Sequence, residues 1–237
     1  AMMELPYTVD ELCEATVDII KKNNIKSCYI RPLAYYGYGQ MGVDPTGAPV
    51  DVIIAVWPWD AYLGAEALEN GIKVGVSSWR QRSFNAIPPA VKSSASYMNS
   101  ILAKKEATLH GYAEAIMLNE EGRVCEGTGE NIFLVRNGIL STPPLSDGLL
   151  EGITRDTILT LATDMDIPAI EESLTRSDLY IADEAFMTGS AAELTPINSI
   201  DDRVIGKRGP ITEALQKRYF DVAYGKVPEY EDWITRF

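Results

Sequence analysis

Apolar and polar positions recur along this chain with two periods, one typical of helices and one typical of strands. The run Thr8-Val-Asp-Glu11 has the pattern of a capping box, and the three-to-four-residue apolar spacing after it predicts a helix over 8–24. Its inward positions would be Val9, Leu12, Thr16 and Ile19 or Ile20.

Later segments repeat both patterns. Further helices are predicted over 94–110, 154–166 and 211–224, and strands over 27–36, 50–57, 72–78, 113–119, 132–135, 139–142 and 184–188. Asn137-Gly138 lies between two of these strands and predicts a tight hairpin. Helices and strands mixed in this way predict an α+β (α/β) fold.

Composition and charge narrow the class of protein. The chain has 237 residues, of which 46% are hydrophobic, enough to fill one large core or two modest ones. Its net charge of -13 argues against nucleic acid or an anionic membrane as a partner, because both require a basic surface. No apolar run approaches the length of a membrane span, and residues 1–6 do not have the pattern of a signal peptide, so we expect a cytoplasmic protein.

Cysteine and histidine are too few for a disulfide framework or a metal site. Cys13, Cys28 and Cys125 are widely spaced and odd in number, which predicts three reduced thiols. The single histidine, His110, excludes a multi-histidine metal centre, and its place before Gly111 favours a role at the end of a helix. No metal is expected.

Three short segments together supply an amine, an acid and a place for an anion. Lys92 follows Ile87-Pro-Pro-Ala-Val, and lysine is the side chain that forms covalent bonds with carbonyl compounds. Glu126-Gly-Thr-Gly-Glu-Asn131 offers a carboxylate, and Gly152-Ile-Thr-Arg155 begins a helix whose free N–H groups suit a phosphate. Pyridoxal phosphate requires all three features. Taken singly, each has a simpler explanation as a solvated lysine, a glycine turn and an ordinary helix start.

Two other patterns have competing interpretations. The spacing Gly37-x-Gly39-x-x-Gly42 matches a dinucleotide fingerprint, but the proline-containing run 43–49 cannot begin the helix that such a site needs. Arg31 lies in an otherwise apolar strand, where a charge without a partner is costly, so an ion pair with an acidic neighbour is one explanation for it.

Longer runs resemble a known family. They are Pro58-Trp-Asp-Ala-Tyr-Leu-Gly-Ala-Glu-Ala-Leu68, Ser77-Ser-Trp79, Glu126-Gly-Thr-Gly-Glu-Asn131, Gly152-Ile-Thr-Arg-Asp156 and Thr188-Gly-Ser-Ala-Ala-Glu-Leu-Thr-Pro196. These runs resemble the branched-chain amino acid aminotransferases, which are fold-type IV pyridoxal-phosphate enzymes. The resemblance extends from about Glu4 to the C-terminus. It implies amino transfer between leucine, isoleucine or valine and 2-oxoglutarate, as in branched-chain amino acid biosynthesis.

The resemblance also implies a role for each matched cofactor residue. Lys92, expected to be buried, would bond the cofactor aldehyde and carry the proton to and from the substrate α-carbon. Glu126 would face the pyridine nitrogen, and Tyr97 the ring oxygen, although a core tyrosine is an equally simple explanation for Tyr97. The phosphate would be bound at Ile153, Thr154, Ser190 and Ala191.

Substrate and partner roles follow from the same resemblance. Ala191 and Ala192 would bind the substrate α-carboxylate, while Tyr29, Arg31 and Tyr62 would bind the side-chain carboxylate of glutamate. The glycine loop with Met41-Gly-Val43 would reach the active site of a partner subunit, which implies a homodimer or a higher homo-oligomer.

The resemblance further predicts two domains, a truncated small α/β domain over 1–66 and a large cofactor-binding domain over 67–237. Members of the family have a further N-terminal stretch that brings an arginine to the cofactor phosphate and an aromatic wall to the substrate. This chain begins after both. We therefore expect weak cofactor binding and little activity, and tight binding in a form extended upstream.

Two alternatives stay open at this point. A D-amino acid aminotransferase or an aminodeoxychorismate lyase would share Lys92, Glu126 and the phosphate loops, although Tyr29-Ile-Arg31 and the run from Pro58 to Leu68 favour the branched-chain enzymes. The other alternative is an inactive truncated remnant that folds and binds no cofactor.

Overall fold

In the computed structural model, which describes residues 3–59 and 63–237, the capping box at Thr8 begins a helix as predicted. The Thr8 N–H donates to the Glu11 carboxylate at 2.7 Å, and the Glu11 N–H donates to Thr8 Oγ1 at 3.2 Å. The helix, α1, spans Val9–Lys22 and buries Ile20. Val9 is 76% exposed, so the prediction that it turns inward was wrong: the first turn of α1 faces solvent, and the helix packs near β2.

A two-stranded antiparallel sheet follows α1. Strands β1 (Tyr29–Tyr36) and β2 (Val50–Trp57) pair along their whole length, with Tyr29 opposite Trp57. The connection over 37–49 forms bends and a turn rather than a helix. The Gly37 N–H donates to the Pro49 carbonyl at 2.7 Å and so closes the loop that the dinucleotide pattern spans.

Contacts within the chain divide it into two units, residues 1–60 with 236–237 and residues 61–235. The predicted domains, 1–66 and 67–237, stay a prediction. The second unit contains α2 (Ala65–Asn70), β3 (Ile72–Arg80), α3 (Tyr97–Leu109), β4 (Glu114–Leu118), β5 (Val124–Gly127), β6 (Asn131–Arg136), β7 (Ile139–Thr142), α4 (Ile153–Asp164), β8 (Ala169–Glu171), α5 (Arg176–Tyr180), β9 (Glu184–Gly189), β10 (Glu193–Ile200), β11 (Arg203–Val204) and α6 (Pro210–Ala223).

The sheet of the second unit curls round on itself. Its pairing order is β5-β4-β3-β10-β9-β6-β7-β8, with β11 added beside β10. Strands β5 and β6 stand far apart in this order, yet only residues 128–130 connect them, and the Gly127 N–H donates to the Glu130 carbonyl at 2.6 Å. Because three residues span little more than about 10 Å, β5 and β6 must lie near each other. The strands from β5 to β6 in the pairing order, β5-β4-β3-β10-β9-β6, therefore enclose a barrel-like core.

Apolar side chains fill the interior of this curled sheet and cover its outside. The interior cluster takes residues from several strands, among them Val74, Ile116 and Met187, all buried. A second cluster joins the outer face of the sheet to α4 and α6 through residues such as Phe133, Ile158 and Leu215. The barrel is therefore a rigid support for the loops at its ends.

Local signals and tertiary packing each decided some of these elements. Asn137 and Gly138 both have positive φ angles, 50° and 77°, and close the predicted hairpin between β6 and β7. Strand β10 was missed because its sequence contains Pro196. Pro196 lies where β10 stops pairing with β9 and begins to pair with β3, so the missing N–H interrupts little.

Predicted helix and cysteine features also have definite places. The helix predicted over 94–110 is a 3₁₀ turn over Ser94–Ser96 followed by α3, and His110 is the C-cap of α3. The three cysteines are free thiols. In the described parts of the chain, none of the helices has both the length and the apolar character needed to cross a bilayer.

Candidate active site

One open cavity in the second unit brings together side chains from residues 82–100, from residues 126–131 and from Leu150. Lys92 reaches it from the loop between β3 and α3, Tyr97 from the first turn of α3, and Glu126 from β5. The rest of its lining is Arg82, Pro89, Val91, Ser93, Ser96, Ser100, Thr128, Gly129, Glu130, Asn131 and Leu150. The structure thus assembles the amine and the acid that the sequence singled out.

Lys92 lies on a loop shaped by the preceding prolines. The Val91 N–H donates to the Pro88 carbonyl at 3.0 Å, and the Ser93 side chain caps the following 3₁₀ turn by accepting the Ala95 N–H at 3.2 Å. The Lys92 amine lies 5.9 Å from the centroid of the Tyr97 ring. Lys92 is exposed, so the prediction that it is buried was wrong: its side chain lines the cavity and is also open to solvent.

Glu126 provides the acid inside the cavity. Its Oε2 accepts the Leu150 N–H at 2.9 Å, and its Oε1 accepts the side-chain N–H of Gln81. Burial raises the pKa of Glu126 to about 7, and the Leu150 N–H, the Arg82 guanidinium and the Gln81 amide oppose that rise. A carboxyl that titrates near neutrality suits a group that must share a proton with a ring nitrogen.

Another carboxyl, that of the buried Glu130, lies near the half-buried Glu126. It is 5% exposed, and its Oε2 accepts the Gly129 N–H at 3.1 Å. Burial and the neighbouring Glu114 carboxylate raise the pKa of Glu130 to about 8. Glu114 is itself fully buried and is held by Lys104 at 2.6 Å and by the Thr128 hydroxyl at 2.7 Å.

The raised pKa of Glu130 predicts how stability changes with pH. The folded chain holds a proton on Glu130 that the unfolded chain releases above about pH 4.5, so this residue destabilises the fold progressively as the pH rises to about 8. When the pH rises from about 5.5 to about 8.5, the free energy of unfolding of Glu130→Gln should therefore increase relative to that of the parent by on the order of 2 to 3 kcal/mol. Urea unfolding at both pH values measures this. The exposed Glu120→Gln is the matched control, and an equal gain there, or none in Glu130→Gln, would contradict the prediction.

The predicted phosphate residues lie next to the cavity and are not part of its lining. Helix α4 begins at Gly152, which has no side chain to cap the first N–H groups. Ile153 is 77% exposed at this end, and Thr154 is buried. A Cβ on Gly152 would lie 2.0 Å from Oδ1 of Asn131, so the helix end and the end of the Glu126–Asn131 loop are in close contact.

Ser190, Ala191 and Ala192 form the turn between β9 and β10. The strand before this turn pairs with β6, with Thr188 opposite Asn131. Ser190 is exposed, Ala191 half-buried and Ala192 buried. Asn131 therefore connects the turn, the start of α4 and the cavity, which places the two predicted anion-binding segments at one end of the site.

The predicted substrate residues of the first unit form a small cluster of their own. The Arg31 guanidinium donates to the Tyr29 hydroxyl at 2.6 Å and lies 5.0 Å from the centroid of its ring. Arg31 is exposed, so the cost expected for burying its charge does not arise. Among the described residues, no acidic side chain pairs with Arg31. Tyr62 lies outside the described residues.

Sequence reasoning missed several residues that line or support the cavity. They are Gln81, Arg82, Ser96, Glu114, Thr128, Glu130, Asn131 and Leu150. The second glutamate of Glu126-Gly-Thr-Gly-Glu130 carried a visible signal, because a charge between a glycine turn and an apolar strand needs a reason. Gln81 and Leu150 carried none, since they lie 45 and 24 residues from Glu126 in sequence and meet it only in the folded chain.

Known proteins resemble the chain along nearly all of its length. A family model described as amino-transferase class IV matches residues 1–200. The branched-chain-amino-acid aminotransferase of Pseudomonas aeruginosa is 49% identical over 235 residues, which cover 98% of this chain and 76% of that protein.

Solved structures agree with this family. The branched-chain aminotransferase of Thermoproteus uzoniensis with norvaline has a TM-score of 0.94 and 47% identity, and the match covers 98% of this chain and 77% of that one. The branched-chain amino acid aminotransferase of Thermobaculum terrenum in its PLP-form has a TM-score of 0.93 and 39% identity over 98% and 76% of the two chains.

These matches confirm the predicted fold-type IV architecture. The chain spans about three quarters of the length of its relatives. Since the family model covers most of the chain and the identity to the relatives extends along nearly all of it, the family assignment does not depend on short motifs alone. The chain therefore belongs to the class IV aminotransferases, in the family of the branched-chain-amino-acid aminotransferases.

Proposed function

We propose that this protein transfers amino groups between branched-chain L-amino acids and 2-oxoglutarate, with pyridoxal phosphate as its cofactor. The observation that carries the proposal is that the Lys92 amine and the Glu126 carboxyl line the same cavity. The relatives support it through the names they bear, the norvaline in one structure and the PLP-form of another.

The residues present fit this cofactor. Among the described residues, Ser96 Oγ and Arg82 Nε are buried on the cavity lining and have no hydrogen-bond partner. Buried polar atoms of this kind are expected where a bound ligand supplies the missing hydrogen bond. Glu126 offers a carboxyl to a ring nitrogen, and the uncapped start of α4 offers N–H groups to a phosphate. Arg82 was not predicted, and it adds a positive charge to the side of the cavity that holds Glu126.

Each cavity residue has a chemical task under this proposal. When bound, pyridoxal phosphate supplies an aldehyde that bonds an amine and a ring that accepts the electron pair left at the substrate α-carbon. Lys92 would hold that aldehyde through its amine and, once the substrate amine displaces it, the freed amine would carry the proton to and from the substrate α-carbon, which a flexible side chain on the cavity lining permits. Glu126 would face the ring nitrogen and keep it protonated, and Tyr97 would donate its hydroxyl to the ring oxygen.

The remaining predicted residues bind the two charged ends of cofactor and substrate. Ile153, Thr154, Ser190 and Ala191 bind the phosphate through N–H groups and hydroxyls, and Ala191 and Ala192 donate N–H groups to the α-carboxylate. Tyr29, Arg31 and Tyr62 bind the side-chain carboxylate of glutamate. We further propose that the protein works as a homodimer or higher homo-oligomer in the cytoplasm.

A substrate panel tests the proposal. L-Leucine, L-isoleucine and L-valine should transfer their amino group to 2-oxoglutarate with kcat/KM at least about tenfold above that of D-alanine or D-glutamate. Glutamate formation is measured with added cofactor, and reactions without 2-oxoglutarate serve as the control. A preference for the D-amino acids would contradict the branched-chain assignment. Because weak binding is expected, the cofactor is titrated to millimolar concentration, and a protein that develops no visible absorbance even there, in this chain and in a form extended upstream, would contradict the cofactor assignment.

A further inference from the structure

We propose that Gln81 is a positioning residue for Glu126, whose carboxylate it holds in one orientation toward the cavity and stabilises in the ionised form. This inference rests on the proposed function only for the task of Glu126 in amino transfer. The contact between the two side chains stands on the geometry of the protein alone.

Gln81 is a buried polar residue at the end of a strand. It directly follows β3, is 3% exposed, and donates its backbone N–H to the Leu118 carbonyl at 2.7 Å. A buried side-chain amide is costly unless both its ends are hydrogen-bonded. Both ends of this amide are, and each partner has a different charge.

The partners fix which end of the amide faces Glu126. The Gln81 carbonyl oxygen accepts the backbone N–H of Arg82 at 3.2 Å and faces the Arg82 guanidinium at 3.5 Å. An amide has one accepting end and one donating end, so the donating end must point to the Glu126 carboxylate. Gln81 therefore donates to Glu126 and cannot accept a proton from it.

This arrangement leaves Glu126 with two neutral hydrogen-bond donors and, among the described residues, two nearby cations that are not hydrogen-bonded to it. Its oxygens are taken by the Gln81 amide and the Leu150 N–H, one on each side, which stops the carboxylate from rotating. Arg82 and Lys92 face it from the loop after β3 and from the cavity lining, and Glu130 faces it from the loop after β5. A direct ion pair would favour the ionised form far more strongly than a neutral amide does. With Gln81 as its partner, Glu126 therefore keeps a pKa near neutrality.

The experiment uses the cofactor-free protein. The carboxyl carbons of glutamate are labelled with ¹³C, the Glu126 signal is assigned by its loss in Glu126→Gln, and its titration is followed by NMR. Gln81→Met keeps the length of the side chain and removes the donor, so it should raise the pKa of Glu126 by about one. In Gln81→Asn the side chain is too short to reach the Glu126 carboxylate, so the pKa of Glu126 should also rise. This variant provides the test if Gln81→Met does not fold.

Gln216→Met is the matched control. Gln216 is also buried in the second unit, and its amide donates to the carbonyls of Leu68 and Leu194 at 2.8 and 2.9 Å. Gln216→Met removes a similar buried amide that does not contact Glu126, so the pKa of Glu126 should stay unchanged. An unchanged Glu126 titration in both Gln81 variants, or an equal change in Gln216→Met, would overturn the inference. Failure of the proposed function would show instead in the substrate panel, with the titration result unaffected.

Discussion

Lys92→Met should reduce amino transfer by at least about a thousandfold, because it removes both the amine that binds the cofactor aldehyde and the group that moves the α-proton. Lys92 is exposed, and substitutions at exposed positions change stability by about 0.5 kcal/mol or less, so the variant should remain folded. Steady-state kinetics with L-leucine and 2-oxoglutarate measure the loss, and thermal unfolding verifies that the fold is intact.

The matched control is Lys105→Met. Lys105 is another exposed lysine, on α3 and away from the cavity lining, so its loss should leave turnover unchanged. Borohydride reduction of the parent with bound cofactor, followed by peptide mapping, locates the covalent bond directly. A label on Lys104 or Lys105, or normal turnover in Lys92→Met, would show that Lys92 does not have this role.

Glu126→Gln should lower kcat by about a hundredfold or more while changing the affinity for pyridoxal phosphate much less. The amide has nearly the size of the carboxylate, and its oxygen can still accept the Leu150 N–H. What it lacks is the second acceptor oxygen, which faces the Gln81 amide, and the negative charge that holds a proton on the ring nitrogen. Because that proton matters most when negative charge develops on the ring, the loss appears in turnover more than in binding.

Two measurements separate this role from a structural one. Cofactor affinity comes from titration by visible absorbance, and kcat from the same kinetics as for Lys92. Glu121→Gln is the matched control, since Glu121 is exposed in the turn before β5 and contributes nothing to the cavity lining. Equal turnover in Glu126→Gln and the parent would rule out the assigned role.

Local sequence signals predicted the elements whose hydrogen bonds close within a few residues. The capping box at Thr8 and the Asn137-Gly138 hairpin are satisfied by neighbours three residues away or fewer, so their geometry follows from residue type. Strand β10 and Gln81 lay beyond such signals. Pro196 is tolerated in β10 only because the strand changes partners there, and the Gln81 amide finds Glu126 45 residues further along the chain.

The sequence by itself therefore determined the family, the fold class and the chemical groups, since an amine, an acid and a glycine-started helix are properties of residue type and order. The tertiary structure decided how those groups meet. The pairing of β3 and β5 with the two sides of β4 sets Glu126 beside Gln81, the Leu150 N–H bonds the same carboxylate, and Lys92 is exposed instead of buried. Burial and hydrogen bonding move the pKa of Glu126 to about 7, and both depend on atoms far apart in sequence, which no local pattern contains.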